Sequence, residues 1–408
     1  MQSVKTRRSR MKWVMFFAFL TLSLNLRAPI TSLPPVISEV KASLAMSPVF
    51  AGVLTTIPVL CFGLFTPFAS KIIGKMGIEN SVMLSLIGVT LGSILRAVGD
   101  TGFMLSGTII IGLSLTIGNL LGLLIIARDF KSNASFMTGM MVLGMSLGGM
   151  ITSSLTVPMS HLLDWRWALA SWSLLALLSL FLWIPRYRRE KAKNDRLAIR
   201  IEESAVKKST ISLSQFSREH VSAIIALTVS FSCHCFAFYG VVAWLPSFLV
   251  EFAQMSSDKA GVVVSIFHLL GFIGCLGMPL LGKWFKLSQK WLFIIDGLAW
   301  FLVPVGFYLL PDWWLLWDIM GGIGCGGAYV VIFSLIISKS SSLEENRYTS
   351  SVVQSIGYVM ASLSPMIIGG LYQLSGAWLV SFVVLAITTL IFLIGGLLAD
   401  RFYSYAEK

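Results

Sequence analysis

Leu20-Thr-Leu-Ser-Leu-Asn-Leu-Arg27 lines up with Leu227-Thr-Val-Ser-Phe-Ser-Cys-His234, about half a chain further on. Two more pairs keep nearly the same offset: Gly52-Val with Gly261-Val, and Ile125-Ile-Ala-Arg128 with Ile336-Ile-Ser-Lys339. Each match is short. Their shared register is what a parallel duplication of one helical unit predicts. In such a bundle the substrate site falls between the halves near the bilayer midplane, which makes Arg27 and His234 candidates to face each other there.

The rest of the chain fits that reading. Its 408 residues are 56% hydrophobic and only 12% charged, outside the range of soluble domains. At about 20 residues per crossing, that apolar content suffices for about 11 or 12 membrane-spanning helices and leaves little for a soluble catalytic domain. Apolar runs between turn residues and charge clusters predict helices over 12–37, 49–71, 79–97, 103–127, 134–158 and 166–185, then 219–245, 259–282, 291–310, 313–338, 349–372 and 377–399. The expected fold is an all-α membrane protein of twelve transmembrane helices. Two six-helix bundles related by a pseudo-two-fold axis, residues 1–185 and 219–408, are joined by a charged linker, 186–218.

Charge sets the topology. Of 31 Lys and Arg residues, Lys41, Arg96, Arg166 and Lys259 fall on one side and Arg27 inside a helix; the others share the side of the N-terminus. By the positive-inside rule both termini are cytoplasmic, in a plasma or bacterial inner membrane. The start, Met1 to Trp13, is basic and runs into an apolar stretch longer than a signal-peptide core, so it reads as an uncleaved first helix. The net charge of +12 is then a topology signal that touches membrane lipid rather than nucleic acid. All five cysteines lie in apolar runs, so no disulfide framework is expected. Cys233-His234-Cys235 cannot chelate one metal from an intact helix, because adjacent residues diverge by about 100°.

Arg27 is the strongest single signal. It lies about 15 residues, or about 22 Å of helix rise, beyond Lys12, too deep to snorkel back to the surface. A guanidinium at that depth costs at least about 2.5–3.5 kcal/mol on insertion scales, so it must face protein, water or an anion. With Ser23, Thr31 and Pro34 it forms one polar stripe at helical spacing. Facing a cavity, it would bind a carboxylate-like or nitro-type group through paired hydrogen bonds. The blander reading is a structural Arg satisfied by helix-end carbonyls or a neighbouring acid.

Other residues invite the same weighing. His234 and His268 are the histidines deep in helices, either lining a site, carrying a coupled proton, or bonding a neighbouring helix. Ser351, Gln354, Tyr358, Ala361 and Pro365 share one face of helix 11, a second cavity wall. Asn119 sits between Gly118 and Gly122 and is either a binding group or interhelical glue. Asp296 and Asp318 are placed shallowly, next to a basic partner or a wet vestibule, with a proton relay through either as the alternative. Gly144, Gly148 and the run Gly321 to Gly327 read as close helix packing. Arg96 and Asp100 read as a solvated rim, and Trp13, Trp183, Trp291, Trp313 and Trp314 as an interfacial belt.

Several motifs carry a resemblance. Asn25-Leu-Arg27, Ile117-Gly-Asn119 with Arg128-Asp-Phe130, Phe238-Tyr239 with Trp244-Leu-Pro246, and Gln354-x-x-Gly357-Tyr358 with Pro365 and Gly376-x-Trp378 resemble the cyanate and 2-nitroimidazole transporter family of the major facilitator superfamily. The likeness covers nearly the whole chain except the linker. Gly74-Lys75-Met-Gly77 is similar to the superfamily's Gly-x-x-x-Asp-Arg-x-Gly gating loop without its acid. His234 and His268 stand where the family usually carries Gln, and Leu123 where it usually carries Pro. The resemblance implies the major facilitator fold and alternating-access transport of a small solute, with Arg27, Asn119, Tyr239, Gln354 and Tyr358 lining the path.

The resulting expectation is a gradient-driven secondary transporter, since no nucleotide-binding loop occurs. It would move a small anion or small polar heterocycle such as cyanate or a nitroimidazole-like compound. The expected substrate contacts are Arg27, Asn25, Thr31, Asn119, His234, Tyr239, His268, Gln354 and Tyr358. Proton coupling would run through His234, His268 or Asp318, in a monomer without cofactor or metal. A multidrug or metabolite exporter on the same scaffold is one rival; a polytopic membrane enzyme is another, lacking any His-Glu-x-x-His motif.

Overall fold

The computed structural model describes residues 2–201 and 216–406. Among the described residues, twelve helical stretches are long and apolar enough to cross a membrane, matching the expected twelve. The first, Val14–Ser43, takes in the later part of α1 (Gln2–Asn25), the short α2 (Ala28–Thr31), a 3-10 turn at Pro34–Val36 and α3 (Ile37–Ser43). There follow α4 (Pro48–Met76), α5 (Ile78–Ala97), α6 (Thr101–Asp129), α7 (Ala134–Leu163), and α8 (Trp165–Ser171) with α9 (Ser173–Ile201). The later spans are α10 (Arg218–Glu251), α11 (Ser257–Trp284), α12 (Gln289–Leu309), α13 (Trp314–Lys339), α14 (Leu343–Ser375) and α15 (Trp378–Ala406).

Local chemistry marks the helix ends. Ser47, Ser217, Ser256 and Ser342 each accept a hydrogen bond from the backbone N–H three residues on, capping α4, α10, α11 and α14. The expected gating loop shrinks to one residue: Gly74 and Lys75 belong to α4, and Gly77 alone, at φ +81°, turns the chain into α5. Part of the expected linker, residues 202–215, lies outside the described residues, while α9 continues through Pro185 to Ile201.

Three sequence expectations are corrected. The first helix is not continuous: Leu26 and Arg27 leave it, for a reason given below. Arg96 is no solvated rim, being only 3% exposed, with Nη1 donating to Pro29 O at 2.7 Å and Nε to Thr108 Oγ1 at 3.0 Å. Trp183 is buried, whereas Trp291 and Trp313 are exposed as a belt requires.

The chain forms two compact units. One comprises Met1–Cys61, Phe65–Ile125 and Gly144–Ile211; the other comprises Phe62–Leu64, Ile126–Leu143 and Ser212–Lys408. Small residues set the packing inside each. In the first unit a Cβ on Gly148 would collide with Leu24 O, and one on Gly144 would press on Ser23. In the second, α11 and α13 meet backbone to backbone: a Cβ on Gly326 would strike Gly271 O, one on Gly322 would strike Leu270 O, and one on Gly274 would strike Ile323 O. Packing replaces the hydrophobic effect as the force between helices in lipid, so such close approach is what holds them.

Candidate functional site

Pro29 explains the interruption of the first span. It has no N–H to offer Asn25 O four residues back, and its ring crowds the preceding turn. The chain answers with tighter bonds, Leu26 N–H to Ser23 O at 3.2 Å and Arg27 N–H to Leu24 O at 3.5 Å. Arg27, at φ −120° and ψ −34°, then becomes the cap of α2, and its carbonyl accepts from Ile30 and Thr31 N–H. The freed Pro29 carbonyl is the one Arg96 binds, together with Ser32 Oγ at 3.2 Å. Arg27 is half-buried, its stem over Gly149 of α7, where a Cβ would lie 3.3 Å from Arg27 Cγ. Its guanidinium is thus carried at a joint between helical segments.

The other predicted residues of the first unit divide. Asn119 is buried on α6, next to Gly118, which packs on Leu26. Asn25 points to α9, its amide nitrogen donating to Thr21 O at 2.8 Å, Leu175 O at 3.1 Å and Ser179 Oγ at 2.8 Å. Thr31 Oγ1 lies 2.7 Å from Thr152 Oγ1 and 3.0 Å from Arg27 O. Asn25 and Thr31 therefore tie the broken span to its neighbours, at the same place where Arg27 stands.

In the second unit the predicted residues form an aromatic-lined group. The buried His234 ring lies 6.2 Å from Phe231, 6.3 Å from Phe238, 6.1 Å from Trp300 and 5.8 Å from Phe392. Its Nδ1 has no hydrogen-bond partner among the described residues. His268 is exposed, 6.3 Å from Phe238 in an edge-on contact. Phe238 also meets Tyr239 edge-on at 5.3 Å. Tyr358, buried, packs edge-on against Phe231 at 5.7 Å and lies 5.1 Å from Phe62. Gln354, one turn before it, is buried with Nε2 unpartnered among the described residues. A chain of rings thus links His268, Phe238, His234, Phe231 and Tyr358.

The two aspartates differ from expectation. Asp296 and Asp318 are fully buried, and neither carboxyl group has a hydrogen-bond partner among the described residues. Asp296 stands against Gly327, where any side chain would displace it. The sequence placed them shallowly by counting from helix ends; the packing of α12 on α13 encloses them instead.

Comparison with known proteins gives the family. The 2-nitroimidazole transporter of Escherichia coli (strain K12) is 25% identical to this chain over 389 residues, 95% of each protein. The cyanate transport protein CynX of the same strain is 24% identical, covering 90% of this chain and 91% of its own. Among solved structures, the transporter FucP in its outward conformation superposes with a TM-score of 0.71 at 14% identity, over 95% of this chain and 98% of that one. Residues 14–365 match the model of the Major Facilitator Superfamily. With twelve membrane-length helices, relatives that are transporters along almost their full length and a family match across most of the sequence, this integral membrane protein is a transporter, not an enzyme, and belongs to the Major Facilitator Superfamily.

Proposed function

We propose that the protein is a gradient-driven carrier of a small anion or small polar heterocycle, in the class of cyanate or nitroimidazole-like compounds, working by alternating access in the cytoplasmic membrane. The observation that carries this reading is the half-buried Arg27 at the break in the first span. The names of the two relatives agree with it. A planar guanidinium offers two parallel donors to a flat, electron-rich group, a geometry a lysine cannot supply. In this reading Arg27 holds the substrate, and Asn119, Tyr239, Gln354 and Tyr358 orient it. Asn25 and Thr31 act by fixing the joint that presents Arg27.

A charge-assisted hydrogen bond is worth roughly 1.5–3 kcal/mol, so Arg27→Gln should lower transport in proteoliposomes roughly 10- to 100-fold. Arg27→Lys should recover only part of it, with unchanged thermal unfolding in both variants. Transport at the original rate in Arg27→Gln would reject the assignment.

Coupling is assigned to protons through Asp318, His234 or His268. Asp318 is a buried carboxyl group without a partner among the described residues, so it exchanges a proton only when a conformational change wets it. Asp318→Asn should abolish uptake driven by an imposed pH gradient while leaving substrate exchange intact. Loss of neither would exclude Asp318 from coupling. Gly77, the single residue between α4 and α5, serves as the pivot of the gate, with Lys75 beside it. The protein is assigned as a monomer with both termini in the cytoplasm. The ring-lined wall of the second unit also suits an exporter of larger apolar compounds on the same scaffold. Resistance on overexpression without an uptake defect on deletion would favour that second reading.

A further inference from the structure

Beside the first turn of α14 lies an open cavity of about 240 Å³, lined by Arg128, Lys131, Ser340, Ser341, Ser342 and Asn346 with a few apolar side chains. Its walls come from the end of α6, the turn Lys131–Asn133, the end of α13 and the start of α14, all within the second unit. None of these residues belongs to the proposed substrate path.

Three features of this cavity point to one kind of occupant. α14 is a 33-residue helix whose N-terminal end opens here, and the first N–H groups of any helix lack intrahelical acceptors. One of them is already used, Glu345 N–H by Ser342 Oγ, while Ser341 N–H, just before the helix, donates to Glu345 Oε2. Cations stand at the rim. Lys131 Nζ is pinned by donating to Ser340 O at 2.9 Å, and Arg128 lies alongside, paired with Asp129 at 2.9 Å. Of the acids in the first turn of α14, Glu345 is shared between His220, 3.1 Å from Oε1, and Ser341 N–H on Oε2, and Glu344 is exposed.

The third feature is independent of charge. Asn346 lines the cavity, is 0% exposed, and has neither its amide nitrogen nor its amide oxygen hydrogen-bonded among the described residues. A buried primary amide left with nothing to bond is unfavourable, so a ligand that meets it stabilises the fold. Its N–H donors, the helix terminus and Lys131 converge on the same space, and what they share is a demand for an acceptor-rich anion.

We propose that this cavity binds a phosphate-type oxyanion, either free or as the headgroup of an anionic phospholipid, at a site separate from the transport path. The mixed lining, cationic at the rim and apolar between α13 and α14, accommodates either source. A ligand of the folded state raises apparent stability by mass action, which makes binding readable without transport.

The test uses the purified full chain in nanodiscs, followed by thermal unfolding. Inorganic phosphate added at constant ionic strength in phosphatidylcholine nanodiscs, or replacement of the lipid by phosphatidylglycerol, should raise the unfolding midpoint by several degrees. A rise with phosphate in the zwitterionic lipid identifies a free anion; a rise with phosphatidylglycerol alone identifies the headgroup. Lys131→Gln and, separately, Asn346→Leu should remove that rise whatever their own baseline stability, while Arg27→Gln should keep it. No rise with either probe overturns the proposal. So does a full rise in Lys131→Gln, or a rise lost only in Arg27→Gln, which would put the anion in the transport path.

Discussion

Arg96→Leu is expected to lower stability by about 1.5–3 kcal/mol and to depress transport as well, although Arg96 lies outside the proposed substrate contacts. The reasoning starts at Pro29. That residue breaks the first span and leaves its own carbonyl outside a regular helix; Arg96 reaches across from α5 to bind that carbonyl at 2.7 Å. In lipid no bulk water can take over, so the freed carbonyl keeps only the longer bond from Ser32. The joint that presents Arg27 would then loosen. Arg96→Lys should fall between, since an ammonium can reach Pro29 O or Thr108 Oγ1 but does not span both with a planar fork. Thermal unfolding in detergent, read beside proteoliposome uptake, checks both effects. An unfolding midpoint within a degree of the parent would show that the clamp contributes nothing.

The second large effect is steric. Gly326→Leu should abolish the folded second unit, and Gly326→Ala should already cost about 1–3 kcal/mol. A Cβ at this position runs into Gly271 O, and the atom it meets is backbone, which cannot rotate away. α11 and α13 would have to separate along their whole contact, taking with them Gly274 against Ile323 O and Gly322 against Leu270 O. Gly370→Ala supplies the contrast, because a Cβ there meets nothing within 4 Å. Size-exclusion profiles of fluorescently tagged variants would separate the two. Equal behaviour of Gly326→Ala and Gly370→Ala would contradict the packing argument.

Helix number and placement were legible because a bilayer imposes one length on every apolar run, and twelve runs met it. The roles of Gly144, Gly148 and Gly326 were legible for a related reason, since small residues on a spanning helix have few uses other than contact. The break at Leu26–Arg27 was written in Pro29 but masked by the regular spacing of Ser23, Arg27 and Thr31, which suggested one continuous stripe. Arg96 and the two aspartates were misplaced for a shared cause. Depth counted from a helix end says nothing about which neighbours cover that end, and burial at Arg96 and Asp296 is decided by α2, α6 and α13. Among the substrate candidates, Asn25 and Thr31 carried the right chemistry, yet a polar side chain in a span finds protein partners when they are near, and both did.

One ring, Phe238, touches two imidazoles of the second unit, the buried His234 and the exposed His268. The two histidines are therefore not separate experiments. Substitution effects at residues sharing a neighbour do not add, so a His234/His268 double replacement should depart from the sum of the singles, and trimming Phe238 should uncouple them. Genetic variation at that aromatic position would in turn rewrite what either histidine does, which makes epistasis, rather than either residue alone, the unit on which selection acts here.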